Sequence, residues 1–146
     1  MIFVIVFLVL FLDQLAKLLA SRYIFLNHTI PLINNIFHLT LIHNKGAAFG
    51  IFKNQTLLFI VISIITIILI YRKLKTKTGS RFGILGFSLT LILAGALGNL
   101  IDRIFLGYVV DFLDFRIWPV FNIADSAISI GTVLLGWYIL RLSKVK

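Results

Sequence analysis

Four runs of apolar side chains set the terms on which this chain can fold: residues 2–20, 55–71, 82–101 and 122–140. Crossing about 30 Å of hydrocarbon takes roughly 20 helical residues, so each run is long enough, or nearly so, to span a bilayer. Inside hydrocarbon every backbone N–H and C=O must be paired within the protein, and for separate segments only the helix achieves this. Composition agrees. Of 146 residues, 60% are hydrophobic and only 13% are charged, with a mean hydropathy of +1.08. A soluble domain carries about 25% charged residues, so this chain has too little polar surface to cover a water-soluble globule. Its length suits one domain over residues 1–146. The first run is read as a retained helix, not a cleavable leader, because it lacks a basic start and is interrupted by Asp13, Gln14 and Lys17.

The net charge of +9 gives the orientation. Arg72, Lys73, Lys75, Lys77 and Arg81 fall between the second and third runs, and Arg141, Lys144 and Lys146 fall at the C-terminus. Basic clusters beside apolar spans face the cytoplasm. The expected fold is therefore an all-α membrane protein of four transmembrane helices with both termini cytoplasmic. Segments 21–54 and 102–121 then lie outside. Phe37-His38-Leu39-Thr40-Leu41 alternates as a half-buried strand does, Asn34-Asn35 suits a turn, and residues 108–118 suit a short strand or interfacial segment. Both segments are more apolar than free loops, so a small extracytoplasmic β-rich cover is expected.

Several chemistries are excluded or disfavoured. Without cysteine there is no disulfide, thiolate metal site or cysteine nucleophile. His28, His38 and His43 show no metal-ligand spacing and are read as ordinary polar loop histidines. No G-x-S-x-G elbow or phosphate loop occurs. The basic clusters lack the interleaved aromatics of a nucleic-acid surface, so no nucleic-acid partner is expected.

The acids are the informative residues. All five are aspartates: Asp13, Asp102, Asp111, Asp114 and Asp125. Placing such a group at membrane depth costs about 2.5–3.5 kcal/mol, which makes each a functional candidate. Four of them flank the outer ends of the last two runs. Gly95, Asn99 and Arg103 follow at four-residue steps and share a helix face, with Asp102 beside it. Gly95 and Gly98 suit close helix packing, while Asn99 and Arg103 offer donors to carbonyls or carboxylates. Asn122 and Asp125 have the spacing of a helix-capping pair. Asp111, at similar depth, also makes Asp125 a candidate for an aspartate dyad that shares one proton, with one carboxylate activating water and one carboxylic acid polarising a peptide carbonyl. Asp13 and Lys17, four apart, suit a structural ion pair. Asn44 opens Asn44-Lys45-Gly46-Ala47-Ala48-Phe49-Gly50, either a turn or a close-approach site for a ligand. A proton- or ion-coupled carrier is a rival reading of membrane aspartates, but the acids gather at one face and the second run holds only Ser63 and Thr66 as polar groups between residues 57 and 70. A structural assembly subunit would fit the glycines of the third run and leave the aspartates unexplained.

These residues resemble the motifs of the lipoprotein signal peptidases (signal peptidase II). Asp13-Gln14-x-x-Lys17, Asn44-x-Gly46-Ala47-Ala48-Phe49, Gly95-Ala96-x-Gly98-Asn99-x-Ile101-Asp102-Arg103, Val109-Val110-Asp111-Phe112 and Phe121-Asn122-x-Ala124-Asp125-Ser126 occur in the family's order across nearly the whole chain. The resemblance implies an aspartic endopeptidase of the bacterial cytoplasmic (inner) membrane, multi-pass and set among membrane lipid; a monomer is expected because the single chain holds every needed part. It would remove the signal peptide from diacylglyceryl-modified prolipoproteins, cutting before the lipidated cysteine without metal or cofactor. Asp111 and Asp125 would be catalytic. Asn44, Gly95, Asn99, Arg103, Asn122 and Ala124 would line or support the substrate cleft, Asp13 and Lys17 would hold the structure, and globomycin-type inhibitors would occupy the cleft.

Overall fold

Four helices carry the apolar runs: α1 (Ile2–Tyr23), α2 (Thr56–Thr76), α3 (Ile84–Phe105) and α4 (Ile123–Ser143). Each is long and apolar enough to cross a membrane. The structure is a computed structural model that describes residues 1–46, 55–76 and 83–143. Ala47, Ala48, Phe49 and Gly50 of the second motif, Lys77 and Arg81 of the linker cluster, Phe82 at the expected start of the third span, and Lys144 and Lys146 lie outside the described residues. The helices run past several expected span limits, α1 to Tyr23, α2 to Thr76 and α3 to Phe105. Hydropathy marks where side chains leave hydrocarbon, whereas a helix ends where its backbone hydrogen bonds find other partners.

α3 is the central helix and packs against α1, α2 and α4. Its small residues allow this. A Cβ on Gly95 would sit against the Ala124 carbonyl oxygen and 2.7 Å from Ile128 Cγ1, so only a glycine lets α3 and α4 approach this closely. At one end of the bundle Ile70 and Leu74 of α2 pack on Leu89 and Leu93 of α3. Arg72, Lys73, Lys75 and Arg141 lie at that same end, in the last turns of α2 and α4 or just before them.

The other end carries an antiparallel sheet in the order β1 (Thr29–Ile33), β2 (Phe37–Asn44), β3 (Val109–Asp114). Asn34 and Asn35 stand in the β1–β2 connection, with Asn35 at φ 60°, a left-handed turn position that asparagine tolerates. Pro31 lies in β1, an edge strand, where its missing N–H costs no ladder bond on the outer side. In β2 the alternation places Leu39 and Leu41 against Ala20 of α1, Ile24 just after it, and Val110 and Phe112 of β3. Thr40 turns to the opposite face, where its hydroxyl donates to Asp114 Oδ2 at 2.7 Å. After β3 the chain doubles back through Arg116 at φ 65°, and Phe121 pairs with Leu113 just before α4 begins. β3 thus lies beside the residues that lead into α4.

Gly95→Val is expected to overfill the α3–α4 contact and destabilise the folded protein by about 1–3 kcal/mol. A thermal melt in detergent measures this, with Gly136→Ala as the control, since a Cβ there meets nothing within 4 Å. Equal midpoints for the two variants would contradict the close-packing role of Gly95.

Candidate active site

A buried ion cluster ties the helices together beneath the sheet. Lys17 Nζ lies 2.8 Å from Asp13 Oδ2 and 2.9 Å from Asp102 Oδ2, and donates to Asn99 Oδ1 at 3.0 Å. The Asp13–Lys17 pair expected from the sequence is thus joined by a second carboxylate from α3. All three charges are nearly inaccessible, Asp13 at 0%, Lys17 and Asp102 at 3%. Asp102 Oδ2 also accepts the Val110 N–H of β3 at 3.1 Å, and Gln14 Nε2 donates to Asp102 Oδ1 at 3.0 Å. Asp13 Oδ1 accepts the N–H of Ala124 at 2.8 Å, one of the free donors in the first turn of α4. Gly98 leaves the space for this carboxylate: a Cβ there would stand 2.7 Å from Asp13 Oδ2.

Two more carboxylates are built on this base. Asn122 begins α4, and its Oδ1 accepts the Asp125 N–H at 2.8 Å while Asp125 Oδ2 accepts the Asn122 N–H at 3.3 Å. This is the reciprocal cap suggested by the sequence. The other oxygen of Asp125, Oδ1, accepts from Asn99 Nδ2 at 2.7 Å. Asn99 can present that N–H group because its own oxygen is held by Lys17 and by Asn122 Nδ2, the latter at 3.1 Å. Asn122 Nδ2 also donates to Asp111 Oδ1 at 2.7 Å, and Asn44 Nδ2 donates to Asp111 Oδ2 at 2.9 Å. Asp111 and Asp125, distant in sequence and on different elements, therefore flank one amide side chain.

Both carboxylates line one cavity of about 460 Å³, together with Asn44, Asn99 and Arg103. Phe59, Ile62, Ser63 and Thr66 of α2 form one side, and Trp118, Pro119, Val120 and Phe121 close the approach to α4. The Arg103 guanidinium lies 5.2 Å from the ring centroid of Phe59, a cation–π contact. Burial, and next the charge of Asp125, push the Asp111 carboxyl up from 3.8 to about 7, against the hydrogen bonds from Asn44 and Asn122 and the charge of Lys17. Around neutral pH Asp111 therefore holds a proton for a substantial part of the time. Among the described residues, no group of three or more His, Asp or Glu side chains is placed to hold a metal ion.

The site residues expected from sequence fall into three places. Asn44, Asn99, Arg103, Asp111 and Asp125 line the cavity. Asn122 stands behind the two carboxylates, fully buried. Gly95 and Ala124 form the α3–α4 contact, with Asp13 and Lys17 beneath. Sequence reasoning set Asp102 only beside the Asn99 face and did not single out Gln14 or Phe59 for a role here. Gln14 lay within the first motif, and Asp102 within the third. Nothing in the sequence marks Phe59, one of many phenylalanines in apolar runs, because only its position opposite Arg103 distinguishes it.

The family model described as Signal peptidase (SPase) II matches residues 5–141 of this chain. The lipoprotein signal peptidase of Halothermothrix orenii is 51% identical over 147 residues, which covers 99% of each chain. That of Caldanaerobacter subterraneus subsp. tengcongensis is 50% identical over 139 residues, 94% of each chain. A bacterial membrane enzyme solved by the in meso method at 2.3 Å resolution matches the fold with a TM-score of 0.88 and 32% identity, over 99% of this chain and 90% of its own.

Removing the cation from the cluster leaves two buried carboxylates facing each other. Lys17→Met is therefore expected to destabilise the protein by about 3–5 kcal/mol, read as a sharp fall in monodisperse folded protein recovered in detergent. Wild-type recovery and an unchanged melt would show that the cluster does not hold the helices together.

Proposed function

The chain belongs to the signal peptidase II family, and we propose that it is an aspartic endopeptidase that removes signal peptides from diacylglyceryl-modified prolipoproteins, with Asp111 and Asp125 as its catalytic pair. The observation that carries this reading is the convergence of those two carboxylates on one cavity while Asn122 bridges them, its side-chain amide donating to Asp111 and its backbone N–H to Asp125. Asp125, at the N-terminal end of α4 with the Asn99 amide beside it, suits the charged role of general base toward a water. Asp111, raised to about 7, suits the protonated role. The water loses its proton to Asp125 as its oxygen attacks the scissile carbonyl, which Asp111 polarises through its own proton. The C–N bond then breaks, and the departing amine of the lipidated cysteine takes up a proton from the pair, leaving a new carboxyl terminus on the signal peptide. The pair titrates as a unit.

The placement suits the substrate. The basic residues of α2 and α4 lie at the end opposite the sheet, so the positive-inside rule sets the sheet end outside and both termini in the cytoplasm. The carboxylates then lie near the outer boundary of the bacterial cytoplasmic membrane, where a lipid-anchored cysteine joins its signal peptide. The single chain carries every group this chemistry uses, so a monomer suffices. A globomycin-type cyclic peptide is expected to compete for the same cavity. Asn44 and Arg103, on its wall, are read as substrate contacts, while Gly95 and Ala124 support it from behind.

Purified protein in detergent is expected to cleave a diacylglyceryl-modified prolipoprotein in the presence of EDTA. Asp111→Asn and Asp125→Asn are each expected to lower the rate by about 10²–10⁴-fold. Full cleavage by both variants would remove the catalytic assignment, and a wild type that never cleaves would remove the enzymatic reading.

The rate should also fall on the alkaline side of about 7, because the raised Asp111 carboxyl is protonated below that pH and loses its proton above it. The Asn44 hydrogen bond favours the charged form, so Asn44→Ala should move this alkaline limb to higher pH. A limb that stays in place or moves to lower pH in a pH–rate profile would contradict the assignment of the acid to Asp111.

A further inference from the structure

Helical serines and threonines in this protein mostly satisfy their hydroxyls at home. Thr76, Ser88, Thr90, Ser126, Thr132 and Ser143 each donate to a backbone carbonyl three or four residues earlier on the same helix. Thr56, at the start of α2, donates to the Gly107 carbonyl at 3.1 Å. Ser63, Thr66 and Ser129 make no such bond among the described residues, and all three line the cavity that holds Asp111 and Asp125. Ser21, the remaining helical serine or threonine, lines a separate cavity of about 540 Å³ behind Lys17 and Asp102.

The three hydroxyls lie deeper than the carboxylates. Ser129 follows Asp125 by one helical turn on α4, which places it about 6 Å further into the membrane. Ser63 and Thr66 lie about 10 and 15 Å from the outer end of α2 by the same rise. Phe59, Ile62, Ile92, Ala96 and Ile128 surround them with apolar wall. A hydroxyl without a partner at this depth is costly, and a substrate can supply what it lacks.

A signal peptide in hydrocarbon is helical for the reason this chain is. Its helix must end before the scissile bond, because the dyad needs an accessible, unpaired peptide group. A helix that ends leaves its last four carbonyls without intrahelical donors, spread over about 6 Å of its axis. Above the membrane water would serve them. Just beneath the carboxylates, between apolar walls, the hydroxyls of the cavity wall are the donors at hand. Resting on the function proposed above, we infer that Ser63, Thr66 and Ser129 are positioning residues that donate hydrogen bonds to the carbonyls of the last turn of the bound signal helix. They would thereby set where that helix stops, and so which peptide bond reaches Asp111 and Asp125.

The test compares wild type with the triple variant Ser63→Ala, Thr66→Val, Ser129→Ala on two substrates. One is a full diacylglyceryl-modified prolipoprotein. The other is a short lipopeptide that keeps the residues around the lipidated cysteine and lacks the signal helix. Each hydroxyl is expected to contribute about fivefold, so the triple variant should lose roughly 100-fold in kcat/KM on the full precursor. On the short lipopeptide it should match wild type, and its thermal midpoint should be unchanged because the hydroxyls hold no hydrogen bond among the described residues. Exchanging hydroxyl for hydroxyl (Ser63→Thr, Thr66→Ser, Ser129→Thr) should restore the rate on the full precursor. An unchanged rate on the full precursor would overturn the proposal, and so would equal losses on both substrates or a failure of the exchanged hydroxyls to rescue. In each of those cases wild-type cleavage that disappears with Asp111→Asn leaves the peptidase reading intact, whereas a wild type inactive on both substrates removes that reading and the proposal together.

Discussion

One ammonium group in a medium without water organises this molecule. Lys17 is almost fully enclosed, and it meets Asp13 one turn before it on α1 and Asp102 on α3 within 2.9 Å. Buried charges of this kind contribute little net stability compared with a well-packed apolar core, yet removing one partner is strongly unfavourable. Their value lies in what they forbid. With Lys17 placed, α1 cannot slide against α3, because a shift of one residue along either helix would strand a charge in hydrocarbon.

The rigidity is passed on through hydrogen bonds with few alternatives. Asp13 reaches across to the first turn of α4, and Asp102 holds the backbone of β3. These are the two elements that carry Asp125 and Asp111. Asn99 connects the layers, since the donor that meets Asp125 is turned toward it by the Lys17 and Asn122 donors on its other atom. The carboxylates are therefore located by a chain of contacts that begins with the ion cluster, not by the loop that carries one of them. Two carboxyl groups that share one cavity need such a frame, because their mutual repulsion would otherwise drive them apart.

Much of this was legible in the residues, and the rest was hidden for physical reasons. Apolar runs of this length announce helices in lipid because a separate segment satisfies its own backbone there in no other way, and the alternation in β2 marked its buried face. The Asn122–Asp125 cap was readable from spacing, since it is local. Asp102 as a second partner of Lys17 was not, because a contact between helices depends on their rotation and depth, which a one-dimensional pattern does not encode. The same limit applied to α2. Ser63 and Thr66 stood out as its polar residues, but only the packed bundle shows that both line the carboxylate cavity. Gly95 and Ala124 belonged to motifs rich in cavity residues, and the structure sets them at the packing contact between α3 and α4.

Asp125 has two employments, one oxygen toward the cavity-side amide of Asn99 and one toward the backbone that starts α4. Asn122 and Asn99 are similarly divided. An antibiotic that gripped these groups would be pressing on parts of the scaffold itself. Escape by substitution would then be confined largely to the surrounding apolar wall, at positions such as Ile62, away from the α3–α4 contact, where the shape of the cleft could change without loosening the helices around it.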